Sequence, residues 1–227
     1  MALVNIVFNR KGQSYKHKYG GTGYYEAAPP NVAGNFYRVK VTLRLLATIL
    51  FALTFVAEKI LLWGRKHKSE RDWDKSSLAV FDISGVLSVP LGILLGFTDT
   101  GRIHRASLLI SLAGIVLLLL GTALRWAAIF TLKRYFTVNV AILENHQIVK
   151  KGLYKHLRHP SYTGLLLRYL GLGLAYANWL SLALIFPPLL FSVLYRMRVE
   201  ESALLQTFGK EYEEYSKGAK RLIPRVY

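Results

Sequence analysis

Cysteine is absent from this chain of 227 residues, which excludes disulfides, thiolate metal sites and a cysteine nucleophile. Acidic residues are scarce: 13 Asp and Glu stand against 30 Lys and Arg, a formal net charge of +17. Such an excess raises nucleic acid as a partner, because clustered cations release counterions from phosphates. That reading is set aside, since the basic residues crowd the segments between long apolar runs, as cytoplasmic loops beside anionic lipid require. What is abundant is apolar sequence. Hydrophobic residues make up 52% of the chain and mean hydropathy is positive, too apolar for one soluble domain. The implied class is an all-α, polytopic membrane protein of about five transmembrane helices.

Residues 1–40 mix Gly20-Gly21, Gly23, Pro29-Pro30 and several tyrosines without helical or strand periodicity. They read as a polar, irregular tail, and the apolar start is too short for a secretory signal. No Gly-Lys-Ser/Thr follows the glycines, so they carry no nucleotide-loop chemistry. Residues 41–130 read as three spans, Val41 to Trp63, Ser77 to Phe97 and Ala106 to Phe130. Each is long enough at 1.5 Å per residue to cross a core of about 30 Å. Glu58 and Lys59 read as an interfacial pair, Asp82 as a packing residue, and Pro90 as a kink. The third span, apolar apart from Arg125, predicts lipid contact on most faces.

Residues 131–227 differ. Phe136, Val138, Val140 and Ile142 alternate with polar or small residues, which predicts a membrane-surface segment. Ser161 to Tyr176 and Trp179 to Tyr195 then predict a helical hairpin joined at Ala177-Asn178, bent at Pro187-Pro188. The polar stretch beyond Arg196 predicts an amphipathic helix ending near Gly209. Five Lys and Arg lie in the loop 64–76 against two in the connection 98–105. That bias puts the former in the cytoplasm, and with five spans the C-terminus joins it.

The densest group of chemistry-bearing residues is Gly152-Leu153-Tyr154 followed by Arg158-His159-Pro160-Ser161-Tyr162 and Gly164, at the mouth of the hairpin. Pro160 lacks a backbone donor and holds His159 extended, so the helix starts abruptly with amides free to face a ligand. A positively polarised helix start suits the carboxylate of an amino-acid-like cofactor, and Tyr154 and Tyr162 offer flat faces to an adenine or a sulfonium. At the other mouth Arg196 and Glu200, four residues apart, share one helix face. On spacing alone they make a surface ion pair. Charges emerging from an embedded helix beside the Arg-His-Pro turn are costly unless paired or functional.

These residues, with Glu201, Phe208-Gly209, Glu211-Tyr212, Tyr215 and Arg221-Leu222-Ile223-Pro224, form a pattern that resembles the isoprenylcysteine carboxyl methyltransferases and, more broadly, the phospholipid methyltransferase-like membrane enzymes. The likeness runs from Arg134 to the end and departs at Phe136-Thr137, where many prokaryotic relatives have Trp-Ser. It implies an S-adenosylmethionine site facing the cytoplasm, formed by His146, Gln147, Ile148, Val149, Tyr154, His159, Pro160, Ser161, Tyr162 and Glu200. It also implies that Arg196 faces the methyl acceptor, that Arg196 and Glu200 are catalytic, and that no metal takes part. The acceptor would be lipidic, most simply the carboxylate of a prenylated cysteine or a similar isoprenoid acid. A phospholipid amine as acceptor, an NADPH-dependent sterol-type reductase and a non-enzymatic lipid-binding scaffold are the competing readings.

Overall fold

The computed structural model describes residues 6–8, 14–16, 30–63, 74, 76–140 and 147–223. The chain divides into two compact units, Met1–Leu43 and Arg44–Tyr227. In the first, strands β1 (Ile6–Phe8) and β2 (Ser14–Lys16) pair antiparallel with Val7 opposite Tyr15. Helix α1 (Pro30–Leu61) begins well before Val41. Among the described residues, the two strands and the early start of α1 depart from the irregular tail expected over residues 1–40. Pro30 stands at the first helical position, where its missing donor costs nothing and its fixed φ already suits a helix.

The second unit is a helical bundle of α2 (Ser77–Gly96), α3 (Ser107–Leu132), α4 (Pro160–Ala175) and α5 (Trp179–Phe208), which joins the hairpin's second helix and the amphipathic helix into one rod, with a short, unanticipated α6 (Lys210–Gly218). Helices α1, α2, α3 and α5 are each long and apolar enough to cross a membrane. At 16 residues, α4 reaches only ~24 Å. Much of it is buried among its neighbours, Arg168 and Leu172 included, as befits an apolar helix inside a bundle. Together the helices make an integral, multi-pass membrane protein.

Helices α3 and α4 touch backbone to backbone. Gly114 and Gly121 on α3 meet Gly171 and Gly164 on α4, and a Cβ built at Gly121 would strike the amide of Arg168 and the carbonyl of Gly164. Small residues repeating every two turns allow this approach, which membrane helices use because burial away from water gives them little attraction. The expectation of lipid contact on most faces of α3 leaves room for this seam, since one face is given to α4 and 39% of its apolar stretch is buried. Leu118, Leu165, Leu172, Ile185, Leu189 and Val193 fill the core beside that seam.

The α4–α5 turn is fixed by Asn178. Its Oδ1 accepts from the amides of Leu180 and Ser181 at 2.9 and 3.1 Å, capping α5. Its Nδ2 donates to the carbonyls of Leu95 and Thr100 at 3.1 and 2.8 Å, holding the hairpin against the end of α2. The other end of the hairpin is where the sequence concentrates its polar residues.

Candidate functional site

A cavity of about 440 Å³ opens at the end of the bundle that carries the start of α4. Phe55 and Glu58 of α1, Leu78, Phe81 and Asp82 of α2, the strip 136–140, Gln147-Ile148-Val149 and the start of α4 line it, together with Arg196, Glu200 and Leu204 of α5 and Tyr212 and Tyr215 of α6. Toward α1 and α2 its wall mixes the apolar Phe55, Leu78 and Phe81 with the charged Glu58, Lys59 and Asp82, and toward the hairpin it carries Arg158, His159, Arg196 and Glu200.

Pro160 opens α4, and the amides of Tyr162 and Thr163 both return to the His159 carbonyl at 3.0 and 3.1 Å. A strand-like strip beyond α6 then clamps the turn from outside. The amide of Arg158 donates to the Lys220 carbonyl at 2.7 Å, that of His159 to Arg221 at 3.1 Å, and that of Lys220 to His156 at 3.0 Å. Glu201 of α5 gathers the side chains. It accepts from Arg158 Nη1 at 3.1 Å and Arg221 Nη2 at 2.8 Å, and its Oε1 lies 3.1 Å from His159 Nε2. The other imidazole nitrogen is 4.0 Å from Glu200, so the ring stands between two carboxylates.

Arg196 turns to Asp74 rather than making a rung with Glu200. Its Nη1 donates to Asp74 Oδ1 at 3.1 Å and to Ser77 Oγ at 3.2 Å, and its Nη2 donates to the Val138 carbonyl. Asp74 also accepts from the Ser77 hydroxyl and from the amides of Leu78 at 3.0 Å and Val140 at 3.3 Å. Burial pushes the Asp74 carboxyl upward, but the Ser77 hydroxyl, the Arg196 charge and the two amides outweigh it and hold the group below its usual range. Glu200 is left about one-third exposed in the cavity.

Deeper in the wall, Glu58 bridges two arginines, accepting from Arg125 Nε at 2.7 Å and Arg168 Nη1 at 2.6 Å. All three side chains are buried. The expected interfacial pairing of Glu58 with Lys59 is corrected: neighbours on a helix point about 100° apart, and Glu58 faces inward while Lys59 lies over the Phe55 ring. The cue for this triad was a lone arginine in an otherwise apolar third span, with a second, Arg168, in α4.

The predicted site residues divide as follows. Gln147, Ile148, Val149, Tyr154, His159, Ser161, Tyr162, Arg196 and Glu200 all line the one cavity. Pro160 is fully buried beside it, and His146 lies outside the described residues. Asp74, Glu58, Arg125 and Arg168 were not anticipated as site residues. The donor set suits an amino-acid-bearing nucleoside. Glu200 offers a carboxylate to an ammonium or to ribose hydroxyls, Tyr154 and Tyr162 offer ring faces, and the turn offers a polarised helix start. The Tyr154 hydroxyl is pushed well above its ordinary range by burial and by the Glu200 charge, so it stays protonated.

Fold and cavity define a polytopic membrane protein with a polar site set into the mouth of its last helical hairpin. Residues 114–206 match the isoprenylcysteine carboxyl methyltransferase (ICMT) family, the family whose motif the sequence resembles. The match reaches back into α3 and stops short of the motif beyond Phe208. Protein-S-isoprenylcysteine O-methyltransferase B of Arabidopsis thaliana is 35% identical over 120 residues, 52% of this chain and 60% of that protein. The protein-S-isoprenylcysteine O-methyltransferase of Saccharomyces cerevisiae is 36% identical over 112 residues, 48% of this chain and 47% of that protein. The chain thus spans about half to three-fifths of these relatives' length. A solved structure of the eukaryotic intramembrane Ras methyltransferase ICMT aligns with a TM-score of 0.46 at 27% identity, over 66% of this chain and 50% of that one.

Proposed function

We propose that this protein is an S-adenosylmethionine-dependent membrane methyltransferase whose acceptor is the carboxylate of a prenylated cysteine or a similar isoprenoid acid. The observation that carries the reading is the convergence of the Arg-His-Pro turn with Arg196 and Glu200 on one cavity that also presents the apolar side chains of Phe55, Leu78 and Phe81. When bound, S-adenosylmethionine supplies an electrophilic methyl group. Glu200, Tyr154, Tyr162 and Ser161 hold it, with Gln147, Ile148 and Val149 beside them and His146 next in the chain. His159 and Pro160 shape the turn from behind.

Arg196 orients the acceptor carboxylate, which is already ionised near neutral pH. The protein therefore needs no dedicated base and works by alignment and exclusion of water. Phe55, Leu78 and Phe81 give the acceptor's hydrocarbon a surface to leave lipid for. The Lys and Arg bias of loop 64–76 supports a site that faces the cytoplasm.

The test uses the full chain in detergent micelles. Titration calorimetry with S-adenosylhomocysteine and NADPH comes first, then radiolabelled methyl transfer to farnesylcysteine and to its carboxamide, which cannot ionise. Binding of the homocysteine with methylation of the acid alone supports the proposal. Selective NADPH binding would replace it with a reductase, and methylation of phosphatidylethanolamine in place of the acid would move the acceptor to an amine.

A further inference from the structure

Buried charge is expensive in a membrane bundle, and apolar residues of similar volume serve packing as well or better. The Glu58–Arg125–Arg168 cluster therefore asks what it does besides fill space. Its geometry gives a direction. Arg125 spends Nε on Glu58 and reaches with Nη1 to Ser161, donating to Oγ at 2.9 Å and to the carbonyl at 3.3 Å. A guanidinium is rigid and planar, so fixing one edge fixes the other. Helix α1 is thereby connected to the first turn of α4 through a single inflexible group, which also lies 6.0 Å from the Phe136 ring in the strip that lines the cavity.

We propose that Glu58 is a positioning residue for the ligand-binding turn, acting through Arg125 on Ser161. Glu58 lies outside residues 114–206, the part that carries the family match, so α1 contributes to the site as well as to the membrane anchor. The inference rests on the cofactor reading for that turn. It also has a consequence independent of any ligand: without Glu58 the Arg125 plane is free to rotate, and the first turn of α4 loses its brace.

Two measurements on the full chain in micelles test it. The first is the S-adenosylhomocysteine dissociation constant for the wild type, Glu58→Gln, Ser161→Ala and the double variant. Each single change is expected to weaken binding about tenfold and the double change no further, because both loosen one chain of contacts, Glu58→Gln by removing the charge that pins Arg125 and Ser161→Ala by removing the hydroxyl its other arm holds. Losses that multiply to about a hundredfold, or a lowered unfolding midpoint with unchanged affinity, would overturn the proposal. The second is hydrogen exchange of the peptide carrying Tyr162 and Thr163, expected to speed up selectively in Glu58→Gln; unchanged protection there overturns the proposal as well. If the wild type binds no S-adenosylhomocysteine while this exchange still rises, the brace stands and the methyltransferase reading fails. Should Glu58→Gln not fold, Arg125→Lys keeps the charge beside Glu58 but loses the second arm. It is expected to match Ser161→Ala, and wild-type affinity in that variant would count against the brace.

Discussion

His159 and Glu201 meet across the hairpin, imidazole Nε2 to carboxylate Oε1 at 3.1 Å. The same carboxylate holds Arg158 and Arg221, so the turn before α4, the body of α5 and the strip beyond α6 converge on one acid. Successive residues on a helix point about 100° apart, and the adjacent glutamates divide accordingly. Glu201 faces the protein and fastens the site, whereas Glu200 faces the cavity.

That division predicts different outcomes for two similar substitutions. Glu201→Gln leaves two arginines and an imidazole short of their shared anion and is expected to cost about 2 kcal/mol of stability. Glu200→Gln is expected to move stability by no more than about 0.5 kcal/mol while weakening S-adenosylhomocysteine binding. Denaturant unfolding and calorimetry on both variants check this. Equal destabilisation would mean that both acids are structural.

The α3–α4 seam allows a sharper prediction, because backbone cannot yield as a flexible side chain does. Gly121→Ala puts a methyl group into the amide of Arg168 and the carbonyl of Gly164. It should cost about 1–3 kcal/mol and separate Arg125 from Ser161, lowering cofactor affinity as well. Gly218→Ala, where a Cβ meets nothing within 4 Å, is the matched control and should change neither.

The spans and the hairpin were legible because apolar length and the Pro160 and Asn178 signals are local. The grouping of Tyr154, His159, Ser161 and Tyr162 with Arg196 and Glu200 was readable from motif order. Glu58 and Asp74 were not, since their partners lie 67 and 122 residues away and nothing in a span's composition says which way a charge turns. The seam of α3 with α4 was not legible for a related reason: a glycine every seventh residue looks like any apolar filler until the opposite helix supplies its own.

Tyr215 gives a prediction in alkali. Its hydroxyl donates to the Tyr154 carbonyl at 2.7 Å, and burial, only partly opposed by the Arg158 charge, pushes its pKa up to about 12. A raised folded value means that its contribution is whole below the ordinary pKa near 10 and is lost as pH climbs through 12. Attachment of α6 to the cavity rim should therefore weaken over that window. Hydrogen exchange of residues 210–218, compared between wild type and Tyr215→Phe, reads it: the wild type should approach the variant only at the alkaline end.

Asp74 offers a test of how the acceptor side is held. Its carboxyl lies below its usual range in the folded chain, so its stabilising contribution is complete above the ordinary value near 3.8 and disappears only as pH falls through the lower folded one. At neutral pH it is fully charged and orients Arg196. Asp74→Asn keeps acceptors for Ser77 and Leu78 but removes the charge. The expected result is a rise of about tenfold in the acceptor's KM, with S-adenosylhomocysteine affinity within about twofold of wild type, measured by steady-state methyl transfer and calorimetry. A loss shared equally by both ligands would mean that Asp74 supports the whole cavity rather than Arg196.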